Sequence, residues 1–264
     1  MTGMRELPIG WATDLAVLEH SGSTVEDRGD HFVVRTPSNP NYHWGNCLFV
    51  TDPEAVDDAA RWTTAFEATF PDAGWVAVGL IRMPDASDAW IAHNVEVELD
   101  DVLATATLPL QTLLPDGYIV RRLVGSDWEQ VVGQATAENV RTGESETSGH
   151  ERFVRARMES QRSLSDREIA AFFGAFAGET LVADLGIVRC GETARYQSVG
   201  THAEHRRRGL ASHLLGVAAR WAAGHGCDEW VIITEATNPA GRVYRSVGFE
   251  PTTPNAQAYR KPPR

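Results

Sequence analysis

The sequence predicts an α/β protein made of two units. Three observations predict it. Strand-like and helix-like segments alternate along the chain, a stretch marked by Pro109 and Pro115-Asp116-Gly117 interrupts them near the middle, and charge is divided unevenly around that stretch. The first 116 residues hold 19 acidic against 5 basic residues, a net of −14, and the remainder hold 17 against 19, a net of +2. At 264 residues the chain is long enough for two separate cores, and 42% hydrophobic with 23% charged residues excludes a disordered or fibrous protein. An overall charge of −12 argues against general nucleic-acid binding, which needs a basic footprint. No apolar run reaches the ~18 residues of a membrane span, and Met1 to His20 lacks the basic and apolar regions of a signal peptide. Cys47, Cys190 and Cys227 are odd in number and lack C-x-x-C spacing, so a reducing cytoplasm is expected, with no disulfide framework and no metal site.

In the first half, a helix is expected over 11–21 and a strand over 31–35, stopped by Pro37-Ser38-Asn39-Pro40. The aromatic and amide run from Asn39 to Asn46 is either a tight turn capped by its side chains or the lining of a substrate pocket. The end of the run from Asn41 to Val50 reads as a buried strand. Asp52-Pro53-Glu54 then supplies an N-cap, a first-turn proline and an early acid, so a helix carrying Val56, Ala59, Trp62 and Phe66 should follow and stop at Pro71. Strands are predicted at 75–81 and 90–99, and residues 103–114 are read as the crossing between domains 1–116 and 117–264.

In the second half, a strand at 118–123 should lead to a helix capped by Ser126 or Asp127, then a polar loop over 141–149 and a charged helix over 151–162. Gly178-Glu179 and Gly191-Glu192 punctuate three strands at 169–176, 180–190 and 193–199, an antiparallel meander. A strong helix over 211–223, a buried strand over 229–234 and a short helix over 240–247 complete the pattern.

The chemistry is concentrated where the last meander strand meets the strong helix, at Val199-Gly200-Thr201-His202-Ala203-Glu204-His205-Arg206-Arg207-Arg208-Gly209-Leu210-Ala211-Ser212. A helix N-terminus offers unpaired N–H groups and the positive end of its dipole, which suits a phosphate or pyrophosphate. Gly209 allows close approach of the backbone, Ala211 leaves the first turn uncrowded and Ser212 adds a hydroxyl. The Gly-Lys-[Ser/Thr] ending of a Walker loop and the G-x-G-x-x-G of a dinucleotide fold are both absent. His202, His205 and His213 lack metal-ligand spacing and are read as solvent-facing.

Arg206-x-x-Gly209-x-Ala211 resembles the [Arg/Gln]-x-x-Gly-x-[Gly/Ala] signature of the GNAT superfamily of acetyl-CoA-dependent acyltransferases. Asn238, Ala240, Tyr244 and Gly248-Phe249 are similar to a second stretch of that family. The resemblance covers about 117–264 and implies a GNAT fold there, a mixed sheet whose fourth and fifth strands splay, while the first half is compatible with a degenerate GNAT-like copy. It implies acetyl-CoA as the donor substrate, bound through Val199, Thr201, Arg206, Arg207, Arg208, Gly209, Leu210, Ala211, Ser212 and Asn238. It also implies that the Val199 N–H faces the thioester carbonyl and that Tyr244 protonates the departing thiolate. Tyr244 as a core aromatic and Asn238 as a plain helix cap stand as the alternative readings of those two residues.

Some members carry a glutamate base on the fourth strand, where this chain has Arg195. Glu235 is the preferred substitute, ahead of Asp184 and Gln197, and a water chain is a further route. The expected reaction is direct acyl transfer, most simply of acetyl, to a primary amine on a small molecule or peptide, by a monomer or homodimer. The rivals are a specialised tandem acyltransferase similar in layout to mycothiol synthase and a non-catalytic acyl-CoA-binding regulatory module. The acidic first half is expected to favour a cationic amine, with solubility as the simpler explanation of its charge.

Overall fold

The structure is a computed structural model that describes residues 7–143 and 147–262. The chain forms two compact units, Met1–Asp101 with Thr253–Arg264, and Val102–Thr252. The sequence places its single boundary at 116/117 instead. The difference arises because one ten-residue strand, Glu96–Thr105, carries the chain from one unit to the other, and because the C-terminal strand returns to the first unit.

The first unit starts with helix α1 (Ile9–His20), followed by strands β1 (Thr24–Asp27), β2 (His31–Arg35) and β3 (Cys47–Val50), helix α2 (Ala59–Thr69) and strand β4 (Val76–Leu80). Helix α3 (Ser87–Ile91) leads into β5 (Glu96–Thr105). Strand β12 (Asn255–Arg260) pairs antiparallel with β4 on one side and with the first half of β5 on the other. β3 and β4 are parallel, and β1–β2 and β2–β3 are antiparallel. The core holds Trp11, Leu48, Phe49, Trp62, Phe66, Val78 and Trp90.

Two predictions in this unit are corrected. Asp52 caps only a single 3-10 turn, Pro53–Ala55, by accepting from the Glu54 N–H, and α2 is capped afresh by Asp58, which accepts from the Arg61 N–H at 3.1 Å. Trp90 belongs to α3 and not to a strand, and the following strand starts at Glu96 after the positive-φ turn at Asn94. The Asn39 to Asn46 run resolves as a side-chain-capped turn. Asn46 accepts from the Thr36 N–H and donates to the carbonyls of Asn39 and Tyr42.

The second unit contains β6 (Ile119–Arg122), helices α4 (Asp127–Thr142) and α5 (Thr147–Asp166), and strands β7 (Ala170–Ala177), β8 (Thr180–Cys190) and β9 (Thr193–Thr201). Helix α6 (Leu210–Gly224), strand β10 (Glu229–Glu235), helix α7 (Ala240–Ser246) and the short β11 (Glu250–Pro251) follow. The strand order is β10-β9-β8-β7-β6; β9–β10 is parallel and the other pairs are antiparallel. Most of the loop expected over 141–149 is taken up by the ends of α4 and α5, and 144–146 lie outside the described residues.

α6 is held to the sheet by a stripe at strict four-residue spacing, Leu210, Leu214, Ala218 and Ala222, all buried. That stripe packs on β7 and β8 and joins Tyr196, Trp230, Tyr244 and Phe249 in one core. The crossing segment lies directly on the same helix. A side chain at Gly216 would sit 2.4 Å from the Gln111 Cβ, and the His213 Nδ1 lies 2.6 Å from the Thr112 carbonyl. His213 is therefore buried, against the solvent-facing expectation, because residues 111–112 cover its face of the helix. Among the described residues no helix is long and apolar enough to cross a membrane.

Candidate active site

The fourth and fifth strands of the second unit's fold are β9 and β10. Their parallel pairing covers only Thr193–Arg195 against Glu229–Val231, yet β9 continues to Thr201 and β10 to Glu235. Beyond Arg195 the two strands therefore part, and a V-shaped opening forms between their C-terminal ends. On its other edge β9 carries an extra residue: Gly186 faces Gln197 and Asp184 faces Gly200, so Ser198 and Val199 together oppose Leu185. Ser198 takes up the excess with φ +52, a left-handed conformation uncommon outside glycine. Val199 thus sits off the regular ladder at the point where the strands separate.

Immediately after β9, a 3-10 turn (Ala203–His205) leads into α6 through Arg207 at φ +62 and Gly209 at φ +83. Two left-handed residues fold the backbone back so that α6 starts beside the opening. The first hydrogen bond of the helix runs from the His213 N–H to the Gly209 carbonyl at 3.0 Å. The N–H groups of Leu210, Ala211 and Ser212 consequently have no partner inside the helix. A Cβ at Gly209 would meet no atom within 4 Å, so the space in front of this turn is open. The observed opening and the donors that edge it fit a pyrophosphate followed by an extended, amide-bearing arm.

The three arginines are not equivalent. The Arg206 Nε donates to the Thr201 carbonyl at 3.0 Å, and its terminal nitrogen lies 4.0 Å from Glu138 on α4. Arg208 donates to the Tyr118 hydroxyl at 3.0 Å and to the Glu204 carbonyl at 3.1 Å, and Tyr118 also lies 2.8 Å from the His205 Nδ1. These two arginines shape the turn, and His205 is tied into it instead of facing only solvent. Arg207 is exposed, with no hydrogen bond or ion pair to a described residue. Sequence reasoning missed Tyr118 and Glu138, since neither lies near the motif in the chain.

The remaining predicted residues are placed as follows. Thr201 is half-buried at the end of β9. Asn238 is exposed, and its Oδ1 accepts from the Ala240 N–H at 3.0 Å, so its capping role is realised. The Tyr244 ring is 4% exposed within the core, and its hydroxyl makes no hydrogen bond to a described residue. Burial pushes this phenol up to about 12, partly opposed by Arg195, so it is neutral and able to donate at pH 7. Glu235 is exposed at the end of β10, with no side-chain partner among the described residues. Arg195 is buried and donates to the Tyr196 carbonyl at 2.7 Å. Among the described residues no cluster of three or more His, Cys, Asp or Glu could hold a metal ion.

Comparison with known proteins bears on the family and the fold. Residues 138–249 match the model of the Acetyltransferase (GNAT) family. A GCN5-related N-acetyltransferase from Kribbella flavida superposes with a TM-score of 0.65 at 16% identity, over 98% of each chain. A functionally unknown conserved protein from Staphylococcus epidermidis gives 0.66 at 10% identity, over 90% of this chain and 93% of the other. A tandem GNAT protein from the clavulanic acid biosynthesis pathway gives 0.55 at 16% identity, over 100% of this chain and 91% of its own. No curated protein sequence matches the chain. At such identities the structural likeness is one of fold, and the two-unit layout is shared with the tandem protein. The family as a whole transfers acyl groups from acetyl-CoA. Residues 138–249 thus carry the similarity to the acetyltransferase (GNAT) family.

Proposed function

We propose that the second unit moves an acetyl group from acetyl-CoA to a primary amine by direct attack while both substrates are bound. The observation that carries this reading is the opening between β9 and β10 that ends at the N-terminus of α6. The N–H groups of Arg207, Arg208, Gly209, Leu210, Ala211 and Ser212 would hold the pyrophosphate, with Arg207 adding a free positive charge and Arg206 and Arg208 fixing the turn. Val199 and Thr201 would pair with the pantetheine arm as an added strand would, and Asn238 would border the arm from the far side of the opening. The Val199 N–H would stabilise charge on the thioester oxygen as it develops, and Tyr244 would return a proton to the leaving sulfur.

In this reading the protein contributes position and fixed dipoles, and no covalent intermediate with the enzyme is needed. The acceptor would be an amine that is cationic in solution, either a small molecule or a peptide. A structure determined with bound acetyl-CoA tests the donor half: the pyrophosphate is expected at Arg207 to Ser212, and a ligand bound elsewhere refutes it. Tyr244→Phe tests the acid. Turnover is expected to fall about 10–100-fold, at the low end of general acid effects, with little change in the KM for acetyl-CoA. Unchanged turnover would remove Tyr244 from the chemistry.

A further inference from the structure

A carboxylate in the middle of β8 has no structural task. Asp184 makes no hydrogen bond or ion pair with any described residue, although it lies on a strand whose neighbours are almost all buried and apolar. Its surroundings differ on its two sides. Across from it on β7 is Gly174, where Leu123, Phe176 and Leu181 already fill the space a side chain would take. Across from it on β9 is Gly200, where an added Cβ would meet only Asp184 itself, at 3.5 Å from Oδ1, and the Ser198 carbonyl at 4.0 Å. The space beside the carboxylate is therefore closed toward β7 and open toward β9, next to Val199 and the separation of the strands.

Among the described residues of α4 and α5, which cover β7 and β8 on the face away from α6, one charge acts on this recess. Arg157 of α5 acts on Asp184 electrostatically, but its guanidinium is held by the Ser198 hydroxyl at 2.9 Å, with Gln161 of the same helix 3.4 Å from that oxygen. From α4, Gln130 and Gln134 face this strand and are engaged with the backbone of Leu181; neither is charged. The left-handed Ser198 thus has a use: it holds a cation within reach of the carboxylate without letting the two pair.

We propose that Asp184 is the general base, taking a proton from the acceptor's ammonium group in this recess beside Val199 and Gly200. The inference rests on the acyl-transfer reading above and deepens it. The steps balance without a further reagent. Asp184 accepts one proton from R–NH3+, and the freed lone pair forms the C–N bond at the thioester carbon. The C–S bond then breaks with its electron pair on sulfur, Tyr244 protonates the sulfur, and the second nitrogen proton restores Tyr244. Asp184 releases its proton to water. Desolvation pushes the Asp184 carboxyl up to about 7, with Arg157 opposing, so the group can both accept and release a proton near neutral pH.

The experiment compares the wild type with Asp184→Asn, using acetyl-CoA and two kinds of nucleophile: alkyl diamines, which are ammonium ions at about neutral pH, and hydroxylamine, which is already neutral there. With the diamines, kcat/KM is expected to fall about 100-fold or more, while hydroxylamine loses less than about 10-fold and acetyl-CoA affinity holds. Titration of carbon-13-labelled aspartate should show one carboxyl ionising near pH 7 that D184N lacks. Asp184→Ser serves if the asparagine variant does not fold. Equal losses with both nucleophiles, or a carboxyl ionising in the ordinary range, would overturn the assignment alone. If the wild type acetylates neither nucleophile, the acyl-transfer reading falls and takes the assignment with it.

Discussion

Replacing Gly209 by alanine separates two reasons for the glycine. Its φ of +83 is one an L-residue adopts at a cost of roughly 1–2 kcal/mol. A methyl there would touch no atom of the protein within 4 Å, so no clash adds to that cost. For a protein of this size, that predicts a loss of about 2–8 °C in Tm, at 2–4 °C per kcal/mol. The only partner such a methyl would obstruct is a ligand seated on the first turn of α6. Losing one charge-assisted hydrogen bond to a phosphate, at about 1.5–3 kcal/mol, weakens binding about 10–100-fold. Calorimetric titration with coenzyme A and a thermal melt measure the two effects separately. Gly191→Ala is the matched control, because Gly191 has φ +73, equally open space and a place in the β8–β9 turn. Both variants should melt earlier, and only Gly209→Ala should bind coenzyme A poorly. If the two variants bind equally well, the glycine serves only the turn and the anion-cradle reasoning fails.

Two further outcomes follow from the charged and thiol groups. Asp127, the first residue of α4, accepts from the Val124 N–H at 2.8 Å and from both terminal nitrogens of Arg121, and the Arg121 pairing holds its carboxyl below the usual range. A depressed carboxyl contributes stability that is complete above its unfolded value and is lost as pH falls through the folded one. Asp127→Asn should therefore lower Tm at pH 7 and converge with the wild type as both are acidified through and below the ordinary aspartate range; a constant difference across that window would refute the linkage. Among the cysteines, burial pushes the Cys47 thiol up to about 12, while Cys190 is only half-buried. Mass spectrometry after brief alkylation of the native protein should find Cys190 labelled first and Cys47 labelled only on unfolding.

The meander was legible because its punctuation is local. Gly178 and Gly191 have φ of +60 and +73, as the Gly-Glu turns required, and β8 runs over the predicted 180–190. The strand-turn-helix frame of the anion cradle was legible for the same reason, since Gly209 and the α6 stripe lie within a few residues of each other. What escaped was set by distant partners. His213 is buried by a segment about 100 positions earlier in the chain, a contact that no local pattern announces. Tyr118 reaches His205 and Arg208 across a similar separation. Trp90 reads as a strand residue by propensity, but tertiary burial in the first unit's core places it on a short helix. Asp184 ranked below Glu235 because sequence cannot show that one carboxylate is recessed beside a glycine and the other exposed at a strand end.

The position of β12 between β4 and β5 has a consequence for how the chain is made. As the polypeptide emerges, β4 and β5 are synthesised early, but the strand that joins them arrives only after all of Val102–Thr252. Until then each presents an unpaired edge, the kind of surface that recruits other chains. The second unit contains its own core and can condense during that interval, so it is expected to fold before the first. A fragment ending at residue 116 would keep both open edges permanently and should aggregate. Supplying residues 253–264 in trans as a peptide would offer it the missing strand.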